Sequence, residues 1–358
     1  MRSDYMNFAK LGTAARFGLA SSGVADCVMS DLGADVGDLA LHGSNSYGYP
    51  PLVEAVAGRF AVPTECVVMP GGGASFANHL ALAALISPGD AVLIEDPTYE
   101  LILRTLEYLQ ARVTRFDLKL EDDWALHPAT VAGRITPETR LVVLTNLHNP
   151  TGALAAPETI AAVAEAAAAV GAMVLIDEVY LELLFEDGRA FTAFRPEGNI
   201  VVTSSLTKAY GLSGLRCGWI LAPAPIAEKM RRLNDLFASL PAHVAEQLGV
   251  VAFQRLPALR ARATAILDEN RAAYREILGG HPALQQIVFD HGTTVFPRVA
   301  GGEGSGDRLF RTLMDRFETS LVPGRFFGRS EHVRIGLSHN PATTREGLLR
   351  VRAALDEL

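Results

Sequence analysis

The sequence predicts an α/β protein: a mostly parallel sheet with helices on both faces, followed by a smaller α+β domain. Three observations carry this reading. Between about residue 65 and residue 222, short β-branched or apolar runs alternate with helical stretches. The runs are continuously apolar rather than alternating, as strands covered on both faces are. From about Ile226 the period turns helical, and it then becomes mixed through Val333-Arg334-Ile335.

In order, the runs are Val67-Val68-Met69, Val92-Leu93-Ile94, Leu141-Val142-Val143-Leu144, Met173-Val174-Leu175-Ile176, Ile200-Val201-Val202 and Trp219-Ile220-Leu221. Ser75 to Ile86 reads as a helix stopped by SPGD. Pro157 and Glu158 suit a first helical turn, the alanine-rich run to Val170 continues it, and Gly171 suits its stop. Pro241 and Pro257 punctuate the later helical region, and GGEGSG at 301–306 reads as a surface loop. A chain of 358 residues exceeds the usual single-domain size. The expected division is 1–40 as an N-terminal segment packing with the small domain, 41–240 as the sheet domain, and 241–358 as the small domain.

With 32 basic against 40 acidic residues the formal charge is -8, so no general attraction to nucleic acid or an anionic membrane is expected. Cys27, Cys66 and Cys217 lie far apart with no CxxC pair, which fits a reducing, cytoplasmic compartment. The N-terminal MRSDYMNFAKLG has no apolar core of signal-peptide length, and the longest apolar stretch, Ala161 to Ile176, is interrupted by Glu165 and Gly171. Nine histidines form no HxxxH or HxH pair, so no protein-built metal site is expected.

In open α/β sheets ligands bind beyond the carboxyl ends of the strands, so the residues after each run are the place to look for chemistry. They are PGGGAS at 70–75, EDPTY ending at Tyr99, TNLHNPTG with Asn149, DEVY with Asp177 and Tyr180, and SSLTK ending at Lys208. Taken singly, the glycine turn, Asn149-Pro150-Thr151-Gly152 and the tyrosines also suit plain structural roles, and a lone lysine suits the surface. Asp177, after four apolar residues, needs a cation or several donors. Together they suit one chemistry. A lysine amine forms a Schiff base with an aldehyde, and a carboxylate facing a pyridine nitrogen keeps it protonated, making the ring an electron sink. Pyridoxal 5'-phosphate carries both groups. Its phosphate would meet the Gly73-Ala74-Ser75 helix start, with Ser205 and Arg216, while Gly211, Gly214 and Gly218 let the backbone bend closely around it.

The ordered set HNPTG, DEVY, SLTKAYGLSGLRCGW and VRIGLS resembles the aspartate aminotransferase-like, fold type I pyridoxal-phosphate enzymes of the class I/II aminotransferase branch, from about Ser22 to Leu337. The resemblance implies that Lys208 holds the cofactor and moves the proton, that Asp177 pairs with the ring nitrogen, and that Asn149 and Tyr180 donate to the ring oxygen. It implies that Tyr99 stacks on the ring and that Gly73, Ala74, Ser75, Ser205 and Arg216 cradle the phosphate. It further implies a homodimer with shared sites, in which Tyr47 reaches the neighbour's phosphate. Arg334 matches the clamp on the substrate α-carboxylate, and Gly23 a residue near it. The expected reaction moves an amino group between an α-amino acid and a 2-oxo acid. The alternative is a decarboxylase or lyase of the same fold, such as a histidinol-phosphate aminotransferase-like or threonine-phosphate decarboxylase-like enzyme. No second arginine for a dicarboxylate substrate is matched.

Rival motifs fall short. Ser205-Leu206-Thr207-Lys208 fits SxxK, but the companion SDN and KTG strings are missing from the sequence. Gly73-Ala74-Ser75-Phe76-Ala77 lacks the last glycine of a nucleophile elbow, and Gly71 to Phe76 puts phenylalanine where a dinucleotide fingerprint needs glycine. A binding protein that has kept the fold without turnover is opposed by the presence of Lys208, Asp177 and Arg334 together.

Overall fold

The computed structural model describes residues 2–185, 188 and 191–357. Seven strands form the main sheet: β1 (Val67–Val68), β2 (Ala91–Asp96), β3 (Arg112–Asp117), β4 (Thr139–Thr145), β5 (Met173–Asp177), β6 (Ile200–Ser205) and β7 (Gly218–Leu221). Their spatial order is β1-β7-β6-β5-β4-β2-β3. Neighbours among β2 to β6 run parallel, and β7 runs antiparallel to both its partners.

The continuous apolar runs become the central strands because both of their faces are covered. Leu141, Val143, Leu175, Val201 and Ile220 pack into one apolar layer. Val142, Leu144, Val174, Ile176, Val202 and Trp219 pack into the opposite one. This is the period-two alternation of a strand with apolar side chains on either side. No run signalled β3. Its RVTRFD has one strand neighbour and buries only Phe116, so it reads as a polar edge strand rather than an apolar one.

Four helices bear on the site: α1 (Asp4–Leu11), α2 (Gly73–Leu85), α3 (Leu256–Leu278) and α4 (Pro341–Asp356). Helix α2 buries Ala77, Leu80, Ala81, Leu82 and Ala84 against the sheet. Helices α3 and α4 flank a three-stranded antiparallel sheet of Thr294–Val295, Val333–Gly336 and Val322–Pro323. The N-terminal strand Phe17–Gly18 pairs in parallel with Thr319–Ser320. The glycine-rich stretch at 301–306 is a loop only in part. Ser305 and Gly306 open a helix and are buried, and a Cβ on Gly306 would lie 2.1 Å from the His332 carbonyl oxygen. No helix among the described residues is long and apolar enough to cross a membrane.

Candidate active site

Parallel strands bring their carboxyl ends to one edge, and the register aligns Thr145 with Asp177 and Asp177 with Thr203. A cavity at that edge is lined by Ser22, Ala74, Ser75, Asn78, Tyr99, Asn149, Asp177, Tyr180, Ser205, Thr207, Lys208 and Arg216, together with Tyr5, Met6 and Ala9 of α1. Most of the residues chosen from sequence therefore meet in one place.

At one end of the cavity is an anion cradle. Helix α2 starts from Gly72 in the left-handed region and carries no side-chain cap, leaving its first N–H groups for a ligand. Gly73 has φ +73°, and a Cβ there would lie 2.8 Å from Arg216 Nη2. A Cβ on Gly218 would lie 2.6 Å from the Gly73 carbonyl carbon and 2.8 Å from the Ala74 nitrogen. Glycine is needed at both positions for strand, helix start and guanidinium to come this close. Arg216 donates to the carbonyl oxygens of Gly72 at 2.8 Å and Ser213 at 3.2 Å, and among the described residues no carboxylate pairs with it. Among the described residues the buried Thr207 hydroxyl has no partner, and the Ser205 hydroxyl accepts from the Thr207 N–H at 3.3 Å. Positive charge, free N–H groups and spare hydroxyls make this a place for a phosphate.

Asp177 is buried, 6% exposed. Its carboxylate accepts from Asn78 Nδ2 at 2.7 Å and from the Val179 N–H at 3.1 Å. Asn78 is held in turn by the Thr203 hydroxyl, which donates to Oδ1 at 2.5 Å. Burial raises the Asp177 pKa to about 6, against the opposing pull of Asn78, the Val179 N–H and the Lys208 charge. Burial lowers Lys208 to about 8, assisted by the positive charges of Arg334 and Arg216 and partly offset by Asp177. An amine with that pKa is a nucleophile near neutral pH. Burial pushes Tyr180 up to about 12, so its phenol stays a donor, and it donates to the Ser22 hydroxyl at 2.9 Å.

Arg334 is 1% exposed and has no carboxylate partner among the described residues. It donates to Asn149 Oδ1 at 3.1 Å, the Tyr5 hydroxyl at 3.0 Å and the Ala20 carbonyl oxygen at 3.1 Å, while its Nε has no partner among the described residues. A buried guanidinium compensated only by neutral groups is poised for an anion. Asn149 is fixed from behind by its backbone N–H, which donates to the Thr145 hydroxyl at 2.9 Å. Tyr99 stands edge-on to Tyr5, with ring centroids 5.6 Å apart.

Four expected residues, Gly23, Tyr47, Gly73 and Arg334, are not among those lining the cavity; Gly73 stands against Arg216, and Arg334 behind Tyr5 and Asn149. Gly23 packs behind the lysine stem, where a Cβ would lie 3.2 Å from Lys208 Cδ, and the adjacent Val24 N–H donates to the Lys208 carbonyl oxygen at 3.0 Å. Tyr47 is outside this chain's own cavity, 42% exposed, with its hydroxyl bonded to Arg232 and 3.5 Å from Asp235. Sequence reasoning missed Asn78, Tyr5, Ser22 and Thr207. Asn78 alone left a signal: it is four residues after Ala74, hence on the same face of α2, and is polar within an apolar helix.

These residues fit pyridoxal phosphate, with the anion cradle for its phosphate, Asp177 for its ring nitrogen and the Lys208 amine for its aldehyde. Together with the fold, they define a pyridoxal-phosphate-dependent transferase of fold type I. The chain belongs to the family described as aminotransferase class I and II, which matches residues 37–351. It is 30% identical over 304 residues to the arginine–pyruvate transaminase of Pseudomonas aeruginosa, covering 83% of this chain and 77% of that one. It is 28% identical over 354 residues to the capreomycidine synthase of Streptomyces vinaceus, covering 95% and 90%. Among solved structures, a pyridoxal-phosphate-dependent aminotransferase from Streptococcus suis superposes with a TM-score of 0.87 at 24% identity, covering 99% of this chain and 96% of that one.

Proposed function

We propose that the protein moves an amino group from an α-amino acid to a 2-oxo acid, with Lys208 as the covalent anchor and proton carrier. The observation that carries this reading is that one cavity joins the lowered amine of Lys208 to the carboxylate of Asp177, and that Tyr5 and Asn149 in its lining bond the uncompensated Arg334. Bound pyridoxal phosphate supplies an aldehyde and a ring that withdraws electrons from the substrate α-carbon. Asp177 holds the ring nitrogen protonated, and Asn78 and Val179 hold Asp177. Tyr180 and the free amide nitrogen of Asn149 donate to the ring oxygen. Arg334 would grip the substrate carboxylate and so orient the α-carbon. The Lys208 amine would hold the cofactor's aldehyde and would be placed to take and return the substrate α-proton.

A homodimer belongs to the same proposal. Leu41, Leu236, Phe237 and Leu240 are 88%, 78%, 52% and 54% exposed, and Tyr47 stands beside Arg232 and Asp235 of the same segment. A second copy covering that face would account for the exposed apolar groups and bring Tyr47 toward its neighbour's phosphate. The pairing of Phe17–Gly18 with Thr319–Ser320 supports packing of 1–40 with 241–358, while the Tyr5 and Val24 N–H groups also bond Glu100 and Lys208 of 41–240. Three unbridged cysteines accord with a cytoplasmic location.

The likeness over 95% of the chain to a protein named as a synthase rather than a transaminase favours a second reading, a decarboxylase, lyase or other amino-acid-modifying enzyme of this fold whose product keeps its amino group. One experiment separates them. The cofactor-loaded protein is mixed with single amino acids, and the 2-oxo acid and the aminated cofactor are both quantified. Amino transfer yields the two in equal amounts; a product that keeps its amino group, with the cofactor unchanged, refutes it.

A further inference from the structure

Resting on the proposed donation of Asn149 to the ring oxygen, we infer that Glu95, buried behind the cavity, is a positioning residue for the site. Through the Thr145 hydroxyl it fixes Asn149, so that one side-chain amide serves both the cofactor's ring oxygen and Arg334. Glu95 lies near the end of β2 and is 2% exposed. The ladder between β2 and β4 stops at Ile94 and Val143. Beyond it the Glu95 side chain takes over, as Oε1 accepts from the Thr145 N–H at 2.9 Å and from the Thr145 hydroxyl at 2.6 Å. A hydroxyl has a single proton. With that proton given to Glu95, the Thr145 lone pairs are left for the Asn149 N–H, which donates to them at 2.9 Å. Arg334 can only donate, so Asn149 must turn Oδ1 to it, at 3.1 Å, and Nδ2 the other way. Thr145 and Asn149 both line the cavity.

The turn that carries Asn149 is braced from the same side. His148 Nε2 lies 2.9 Å from the Pro97 carbonyl oxygen, which can only accept. Nε2 therefore carries the proton, and Nδ1 accepts from the Thr151 hydroxyl at 2.7 Å. Burial lowers the His148 pKa to about 4, so the ring is neutral near pH 7 and, 3.7 Å from Glu95, does not act as its cation. Burial also drives Glu95 well above the usual carboxylate range, against the pull of its two Thr145 bonds, with Asp177 adding to the rise and Arg115 opposing it. In either protonation state Oε1 accepts. Burying a carboxyl group is costly, and what this one holds is the start of the turn bearing Asn149.

The test uses the cofactor-loaded protein and reads its absorbance against pH, with no substrate added. A donor to the ring oxygen favours the anionic oxygen, so losing the donor raises the pH at which the bound cofactor gives up its proton. Asn149→Ala should raise that midpoint by about one pH unit, the worth of one hydrogen bond to a charged group. Glu95→Met, or Thr145→Val should the first variant fail to fold, should raise it by about half a unit or more. Either change added to Asn149→Ala should move it by less than about 0.2 unit further, because Glu95 acts through Asn149. A downward shift in Glu95→Met, the sign expected if Glu95 acted by its negative charge alone, overturns the inference. So does a shift that persists in full beside Asn149→Ala. If Asn149→Ala moves the midpoint while Glu95→Met and Thr145→Val leave it in place, the role of Glu95 falls and that of Asn149 stands. An unmoved midpoint in Asn149→Ala itself overturns both.

Discussion

Replacing Arg334 by methionine keeps most of the side chain's volume and removes its charge. The guanidinium now lies between the rings of Tyr5 and Phe327, 5.7 and 5.2 Å from their centroids, and is oriented by Asn149, Tyr5 and Ala20. A two-pronged grip on a carboxylate from this position makes two charged hydrogen bonds of about 1.5–3 kcal/mol each. Their loss corresponds to about 3–6 kcal/mol, or a fall of ~10²–10⁴ in kcat/KM for the amino-acid half-reaction. The assay compares an amino acid with the amine that bears the same side chain but no carboxylate. The amino acid should lose the full factor and the amine less than about tenfold. Arg334→Lys should fall between, because a point charge cannot reproduce the planar fork. Equal losses for the two substrates, in variants that keep the native circular dichroism, would refute the assignment of Arg334 to the carboxylate.

Two further predictions follow from the titrating groups. The reactive form of Lys208 is the neutral amine, and its pKa is lowered to about 8. Cofactor capture by the apoprotein, followed by absorbance, should therefore accelerate as pH rises through that value and level off above it; a flat profile between pH 6 and 9 contradicts this. Asn78→Ala removes the 2.7 Å donor that favours ionised Asp177. The acid limb of cofactor affinity should move up by about one pH unit, since one charged hydrogen bond is worth at least that much. Thr203→Val should move it less in the same direction, and an unmoved limb in both variants removes Asn78 from its positioning role.

The strands that build the site were legible because covering both faces of a sheet demands uninterrupted apolar residues, as in Leu141 to Leu144 and Met173 to Ile176. β3 was not, because an edge strand with one neighbour can be RVTRFD. Lys208, Asp177, Asn149 and Tyr180 were legible because parallel strands deliver whatever follows them to one edge. Tyr5 and Ser22 were not, because only tertiary folding brings Tyr5 to Arg334, 329 positions along the chain.

Helix α2 begins at the phosphate cradle and, one turn later, presents Asn78 to the carboxylate meant for the ring nitrogen. Both ends of a bound cofactor would thus be referenced to one helix that packs on the sheet. That helix would act as a calliper, with both jaws set by one element. Vitamin analogues with a lengthened phosphate arm should be refused before any substrate is added.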